Sequence, residues 1–289
     1  TDDRDAIVGL APDCVLHMAR FADVDLLCHL LERGIDVVTT AGLFHHPAGI
    51  DPELRTRVEA ACAAGGSTIH ATGSSPGFIT EAVPVALASI QRRIDRLLVE
   101  EYADMSRRDS PELLFEIMGY GRPPGPSDDG RANHLRDSFG PSLRLLADAF
   151  ATPLDEVVAA GEVAVAATTT SIAAGTVEAG TVAAQRTTVS GMRGGRAFLE
   201  FRATWYVTDQ LEPAWSVSPT GWRITVDGDA PLAVDMPFPF GLEEMAERSP
   251  GYTANRAVNA VAVVCAAAPG IASTLDLPPI VPDLRPPTS

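Results

Sequence analysis

Between Cys14 and Thr72, strand-like and helix-like runs alternate with short connections, and this alternation constrains the fold more than any other feature of the chain. Cys14-Val15-Leu16-His17-Met18-Ala19 follows Pro12-Asp13 and reads as a buried strand. Leu26, Leu27, Leu30 and Leu31 recur at helical spacing between Asp23 and Arg33, and Gly34 closes that helix. Ile35 to Thr40 is β-branched and reads as the next strand. Asp51-Pro52-Glu53 supplies an N-cap, a proline at the first helical position and an acid in the first turn, so a helix runs through Val58 and Cys62 to Gly65-Gly66. Ser67 to Thr72 is the third strand. Such short links require parallel strands joined by right-handed crossovers. Ligands bind past the carboxyl ends of sheets of this kind. Here those ends are His17-Met18-Ala19, Thr39-Thr40-Ala41-Gly42 and Thr72-Gly73.

The third strand leads into Gly73-Ser74-Ser75-Pro76-Gly77-Phe78. Gly73 frees the backbone and Pro76 sets the entry to a helix expected from Phe78 to about Arg92. Unpaired N–H groups at the positive end of that helix would face the crevice and suit a carboxylate or polarised carbonyl. A plain strand-to-helix turn at a domain boundary is the alternative.

Beyond the turn the texture changes. Arg96 to Asp104 is strand-like, with Leu98, Glu100, Tyr102 and Asp104 on one face and Leu97, Val99 and Glu101 on the other. A short helix is expected at Glu112 to Met118 and a helix at Asp137 to Ala151, with an exposed loop at Gly121 to Gly130. Thr- and Val-rich runs follow at 156–170, 176–190, 196–208 and 221–226, which predicts a mostly antiparallel sheet. Gly191-Met192-Arg193-Gly194-Gly195 joins two of these runs and reads as a hairpin turn, not a phosphate-binding loop. Thr253 to Ala268 is a helix, and the Pro-rich tail from Pro278 to Ser289 wraps or frays. The fold class is α/β, with residues 1–75 and 253–289 in one domain and 76–252 in the other.

Net charge is −16 and every basic side chain among the 22 is arginine. That balance argues against nucleic acid and anionic membrane as partners. The missing lysine excludes a P-loop and Schiff-base chemistry. The 4 cysteines, Cys14, Cys28, Cys62 and Cys265, lie in apolar runs without metal-ligand spacing. Buried free thiols in a reducing cytoplasm, and no metal site, are expected. The longest apolar run, Val258 to Ala268, is too short to span a bilayer.

Four stretches carry a resemblance. Asp36-Val37-Val38-Thr39-Thr40, His70 to Phe78, Glu101-Tyr102-Ala103-Asp104 and Thr253 to Ala260 together resemble the dihydrodipicolinate reductase-like family. Within it they are similar to the actinobacterial-type branch that includes diaminopentanoate dehydrogenase and native amine dehydrogenases. The resemblance implies a Rossmann domain for NAD(P)H and a C-terminal α+β domain that completes the substrate pocket and dimerises. It implies a final helix returning to the Rossmann domain, and hydride transfer to a C=N or C=O carbon of a small molecule. It puts the glycine fingerprint ahead of Thr1, so the parallel sheet is read as an N-terminally truncated Rossmann sheet whose cofactor binding needs upstream residues. Thr39, Thr40, Ala41 and Gly42 would approach the nicotinamide, and Ser74, Ser75, Pro76, Gly77 and Phe78 would face nicotinamide and substrate. Two features depart from the family: no lysine serves a diacid substrate, and Ala41-Gly42-Leu43-Phe44 stands where amine dehydrogenases place a glutamate. Ser75 also replaces the usual asparagine.

The residue types suggest where a proton donor sits. His45 and His46 follow the second strand, and an imidazole titrates in the useful range. A solvent-facing loop pair is the alternative. Tyr102 can donate to a substrate oxygen, and Asp104 is a carboxyl on the same strand face. Asn255 and Asn259 lie one helical turn apart and suit the nicotinamide carboxamide. His17 and Met18 end the first strand at the cofactor side. The competing function is a non-catalytic member of the same fold that binds a small ligand or nucleotide.

Overall fold

The computed structural model describes residues 3–19, 22–125 and 129–285. Residues 126–128 of the expected loop and 286–289 of the tail lie outside the described residues. The chain divides into two compact units, Thr1–Val83 with Arg144–Thr152 and Pro250–Ser289, and Pro84–Leu143 with Pro153–Ser249.

In chain order the strands are β1 (Cys14–His17), β2 (Asp36–Thr39), β3 (Thr68–Ala71), β4 (Ile94–Asp104), β5 (Glu156–Ala166), β6 (Thr170–Ile172) and β7 (Gly175–Val177). They continue as β8 (Val182–Arg193), β9 (Arg196–Tyr206), β10 (Leu211–Glu212), β11 (Gly221–Gly228), β12 (Leu232–Pro237) and β13 (Gly270–Ala272). The α-helices are α1 (Arg4–Gly9), α2 (Val24–Leu31), α3 (Pro52–Gly65), α4 (Val83–Ala88), α5 (Asp129–Ala149) and α6 (Met245–Cys265).

The first unit is a parallel sheet in the order β1-β2-β3-β13. Alternation along β2 decides what covers each face. Val37 packs with Leu27, Leu30 and Leu31 of α2 and with Val58 and Cys62 of α3. Val38 points the other way, onto Ala257, Ala260 and Val264 of α6. Small side chains on α6 let the helix sit close to the strand. Full burial of each leucine stabilises by about 1.5–3 kcal/mol, so α2 anchors this layer. Asp51 caps α3 through the Glu53 and Leu54 N–H groups, as its Asp-Pro-Glu start dictates. β13 adds a strand that the sequence did not announce. Cys28 and Cys62 are buried as expected, but Cys265 is exposed. It is the last residue of α6 and falls off the Ala257, Ala260, Val264 stripe.

The second unit carries a seven-stranded sheet in the order β10-β5-β8-β9-β4-β11-β12. All neighbours are antiparallel except β4 and β9. Gly194 and Gly195 both take positive φ between β8 and β9, the geometry of a tight hairpin turn, so the glycine run is indeed a turn. Val99, Leu199 and Phe201 are buried on one face, where Phe139 of α5 stacks on Phe201 with ring centroids 3.7 Å apart. Glu100, Tyr102 and Arg202 occupy the other face, joined by Tyr102 OH donating to Glu100 Oε1 at 3.0 Å and by Arg202 near Glu100. Among the described residues no helix is long and apolar enough to cross a membrane.

Candidate active site at the carboxyl ends of the parallel sheet

The strand ends of the first unit are stitched to one another. His17 Nδ1 lies 3.0 Å from Thr39 Oγ1, and Thr39 Oγ1 also accepts the Ala41 N–H at 3.1 Å. The Thr40 N–H donates to His17 O and the Thr72 N–H to Thr39 O. Burial pushes the His17 imidazole below its usual range, so it serves this joint as a neutral ring. Met18 is exposed beside it.

The turn after β3 differs from expectation. Ser74–Ala82 forms a wide helical turn interrupted at Ser75, Pro76 and Gly77, and a regular helix holds only over α4. Gly77 takes φ +118°, and a Cβ there would lie 3.1 Å from Thr72 Oγ1 and 3.3 Å from Thr72 Cα. Only glycine meets both demands. The expected row of free N–H donors is not present. Ser74 N–H donates to Thr253 Oγ1, Gly77 N–H to Thr80 Oγ1 and Phe78 N–H to Gly73 O, so two threonine hydroxyls and one carbonyl satisfy them. What is left without a protein partner is the buried Ser75 hydroxyl.

The two loop histidines are buried rather than solvent-facing, and they separate. His46 Nε2 contacts Asp148 Oδ2 at 2.8 Å. His45 Nδ1 contacts Glu81 Oε1 at 2.6 Å, with both side chains 1% exposed. The Thr274 hydroxyl donates to the other Glu81 oxygen. A carboxylate accepts, so His45 Nδ1 carries a proton and Nε2 is the free nitrogen. That Nε2 is buried with no protein partner. His70, on β3, donates from Nδ1 to Ala272 O at 2.9 Å, which leaves its Nε2 buried and unpartnered as well. Burial above all, with His45 and Arg256 adding to it, lowers the His70 pKa to about 4.

From α6 the side chain that reaches the strand ends is Arg256, not Asn255 or Asn259. Arg256 Nε donates to Thr72 Oγ1 at 3.4 Å and Nη1 to Ile280 O at 3.2 Å, and the guanidinium lies 5.9 Å from the centre of the Phe78 ring. Asn255 is exposed and Asn259 half-buried. Helical spacing explains the difference: Thr253 and Arg256 extend the buried Ala257, Ala260, Val264 stripe, and the asparagines do not. In the second unit Asp104 lines a cavity of about 710 Å³ with Tyr206, Phe238 and Phe240, and its Oδ1 accepts the Ser106 N–H. Tyr102 is committed to Glu100, and burial raises its pKa.

Residues 129–284, more than half of the chain, match the family described as the 2,4-diaminopentanoate dehydrogenase C-terminal domain. The chain belongs to this family. The amine dehydrogenase of Streptomyces virginiae is 28% identical over 301 positions, which cover 96% of this chain and 81% of that protein. The structure of the amine dehydrogenase from Mycobacterium smegmatis has the same fold, with a TM-score of 0.73 at 19% identity over 98% of this chain and 81% of that one. Membership in this dehydrogenase family makes the protein an oxidoreductase, and NAD(P)H is the cofactor that the resemblance implies. The residues present fit the nicotinamide end of that cofactor. The β2 end offers Thr39, Thr40, Ala41 and Gly42, and the β3 turn offers an orphaned Ser75 hydroxyl.

Proposed function

We propose that the protein reduces a C=N or C=O bond of a small molecule at the carboxyl ends of the β1-β2-β3-β13 sheet. The buried His45–Glu81 pair carries this reading, because the buried His45 Nε2 has no protein partner. NAD(P)H, when bound, supplies the hydride. Thr39 to Gly42 and Ser75 to Phe78 orient the ring and the acceptor carbon. His45 manages the proton: its imidazolium form gives up the Nε2 proton to the new amine or alkoxide, and the neutral ring left behind, still holding its Nδ1 proton against Glu81, is reprotonated from solvent. Glu81 fixes the tautomer that presents Nε2, and Thr274 fixes Glu81. Reduction leaves nitrogen or oxygen needing a proton, and a positioned imidazole typically contributes about 10²–10⁴-fold to such a step. This arrangement would take over the work of the glutamate that Ala41-Gly42 does not provide. Tyr102 is a poorer donor, since its hydroxyl proton is already given to Glu100. The resemblance also favours a homodimer, which light scattering on the intact protein would test.

The absence of a carboxylate in Ala41-Gly42-Leu43-Phe44 favours a second reading, a ligand-binding member without turnover. His45→Gln decides between them. The redox reading expects NADPH binding to persist while kcat falls about 10²–10⁴-fold. Wild-type protein that binds NADPH yet turns over no imine or ketone would leave only the second reading.

A further inference from the structure

All four cysteines are free thiols, and two of them meet. Cys14 opens β1 and sits directly across from Asp36, the first residue of β2, in the parallel register. Asp36 shares a strand face with Val38, which α6 covers through Ala257, Ala260 and Val264. Cys14 packs against that same cluster, and Cys265 is the last residue of α6. The helix therefore ends over the start of β1. There the Cys14 and Cys265 thiols are in hydrogen-bond contact, and the Cys265 thiol also bonds the Asp36 side chain. A disulfide needs side chains that point at one another, and these two do.

Access separates this pair from the other two cysteines. Cys265 is exposed and Cys14 half-buried, whereas Cys28 and Cys62 are buried in the leucine layer. The pair also lies at the amino ends of β1 and β2, away from the strand ends that carry His45 and Glu81. A bond there would join the first strand of the sheet to the helix that returns to it late in the chain. Closing so long a loop constrains the unfolded chain strongly.

We propose that Cys14 and Cys265 are a site of reversible disulfide formation, which latches the end of α6 to β1 under oxidising conditions. The oxidant is a low-molecular-weight disulfide. The exposed Cys265, as thiolate, attacks one sulfur of the oxidant, breaks its S–S bond and releases one thiolate. Cys14, as thiolate, then attacks the mixed disulfide at Cys265 and displaces the second. The two cysteine protons end on the two released thiols, so the protein gives up two electrons and the oxidant accepts them. Burial, with Asp36 and the Cys14 thiol adding to it, pushes the Cys265 thiol up to about 12. Burial, with Asp36 and Asp13 adding to it, raises Cys14 as well. Thiolate is scarce at neutral pH, so the latch closes slowly and answers sustained oxidation.

The test is incubation of the intact protein with oxidised glutathione, then alkylation of remaining thiols in denaturant and mass spectrometry of a non-reduced digest. A linked pair of peptides carrying Cys14 and Cys265 is expected, with Cys28 and Cys62 alkylated, and dithiothreitol should release the pair. The initial rate should rise about tenfold per pH unit between pH 7 and pH 9, following the thiolate fraction. The thermal midpoint of the oxidised protein should exceed that of the reduced protein by about 5 °C or more. Cys14→Ser should stop at a glutathione adduct on Cys265 and show no such rise. Should Cys14→Ser not fold, Cys265→Ser is the substitute and should show neither bridge nor rise. Adducts on Cys265 without a bridge in the wild type, a bridge that includes Cys28 or Cys62, or a bridge that leaves the midpoint unchanged would overturn the latch.

Discussion

His45 Nδ1 and Glu81 Oε1 are 2.6 Å apart, and neither side chain is more than 1% exposed. Two residues 36 positions apart thus meet where β2 and β3 end, with Thr274 from beyond β13 closing the far side of the carboxylate. Three segments converge on one carboxyl group, which fixes one ring nitrogen and leaves the other available.

Glu81→Ala removes one member of a buried pair and strands the other. A loss of about 3–5 kcal/mol of unfolding free energy is expected, read as a lowered midpoint in urea. Glu81→Gln keeps the shape and an acceptor oxygen, so it should cost less stability but still lower kcat by freeing the His45 tautomer. Equal stability of wild type and Glu81→Ala would show that the pair is not held as described.

Gly77→Ala forces a side chain into left-handed backbone and against Thr72. Destabilisation of roughly 1–3 kcal/mol is expected, with weaker NADPH binding because the turn carries Ser75 and Phe78. Gly180→Ala has positive φ too, but open space around it. It should share the backbone cost and spare the cofactor. Loss of NADPH affinity in both variants would contradict this division.

His70 gives the fold a pH dependence of known sign. Its folded pKa is about 4 against 6.5 unperturbed. Between those values the unfolded chain holds a proton that the folded chain does not, so stability falls as pH falls. The loss from this residue should reach about 3 kcal/mol by pH 4 and then level off. His70→Asn, which retains a donor for Ala272 O, should flatten this part of the curve. Denaturation midpoints of the two proteins at pH 7, 6, 5 and 4 give the difference directly, and parallel curves would be evidence against a buried neutral ring.

Much of the parallel sheet is legible in the sequence, because Leu26, Leu27, Leu30 and Leu31 repeat at helical spacing and Val37-Val38 sits in a β-branched run. β13 is not, since Gly270-Ile271-Ala272 is three residues long and gains its identity only from pairing with β3. The site is half legible. His45 stands out as a titratable residue at a strand end, but Glu81 lies in a stretch that reads as one face of an ordinary helix. Only the break at Ser75, Pro76 and Gly77 turns it toward His45. Arg256 had a usable signal in the small-residue stripe of α6, whereas Asn255 and Asn259 drew notice by amide chemistry alone. His46 and Asp148 are 102 positions apart, and no local pattern announces that contact.

Hydride transfer is the claim on which the rest depends, and isotope transfer reads it without assuming a substrate. The intact protein would be incubated with NADPH deuterated at C4, on either face in separate reactions, and with a panel of small ketones, oxo acids and cyclic imines. Mass spectrometry of the products should find one deuterium on the former C=N or C=O carbon from one face only, with the label abundance falling in step with rate in His45→Gln. Saturable NADPH binding with no labelled product from either face would contradict a catalytic site at the ends of this sheet.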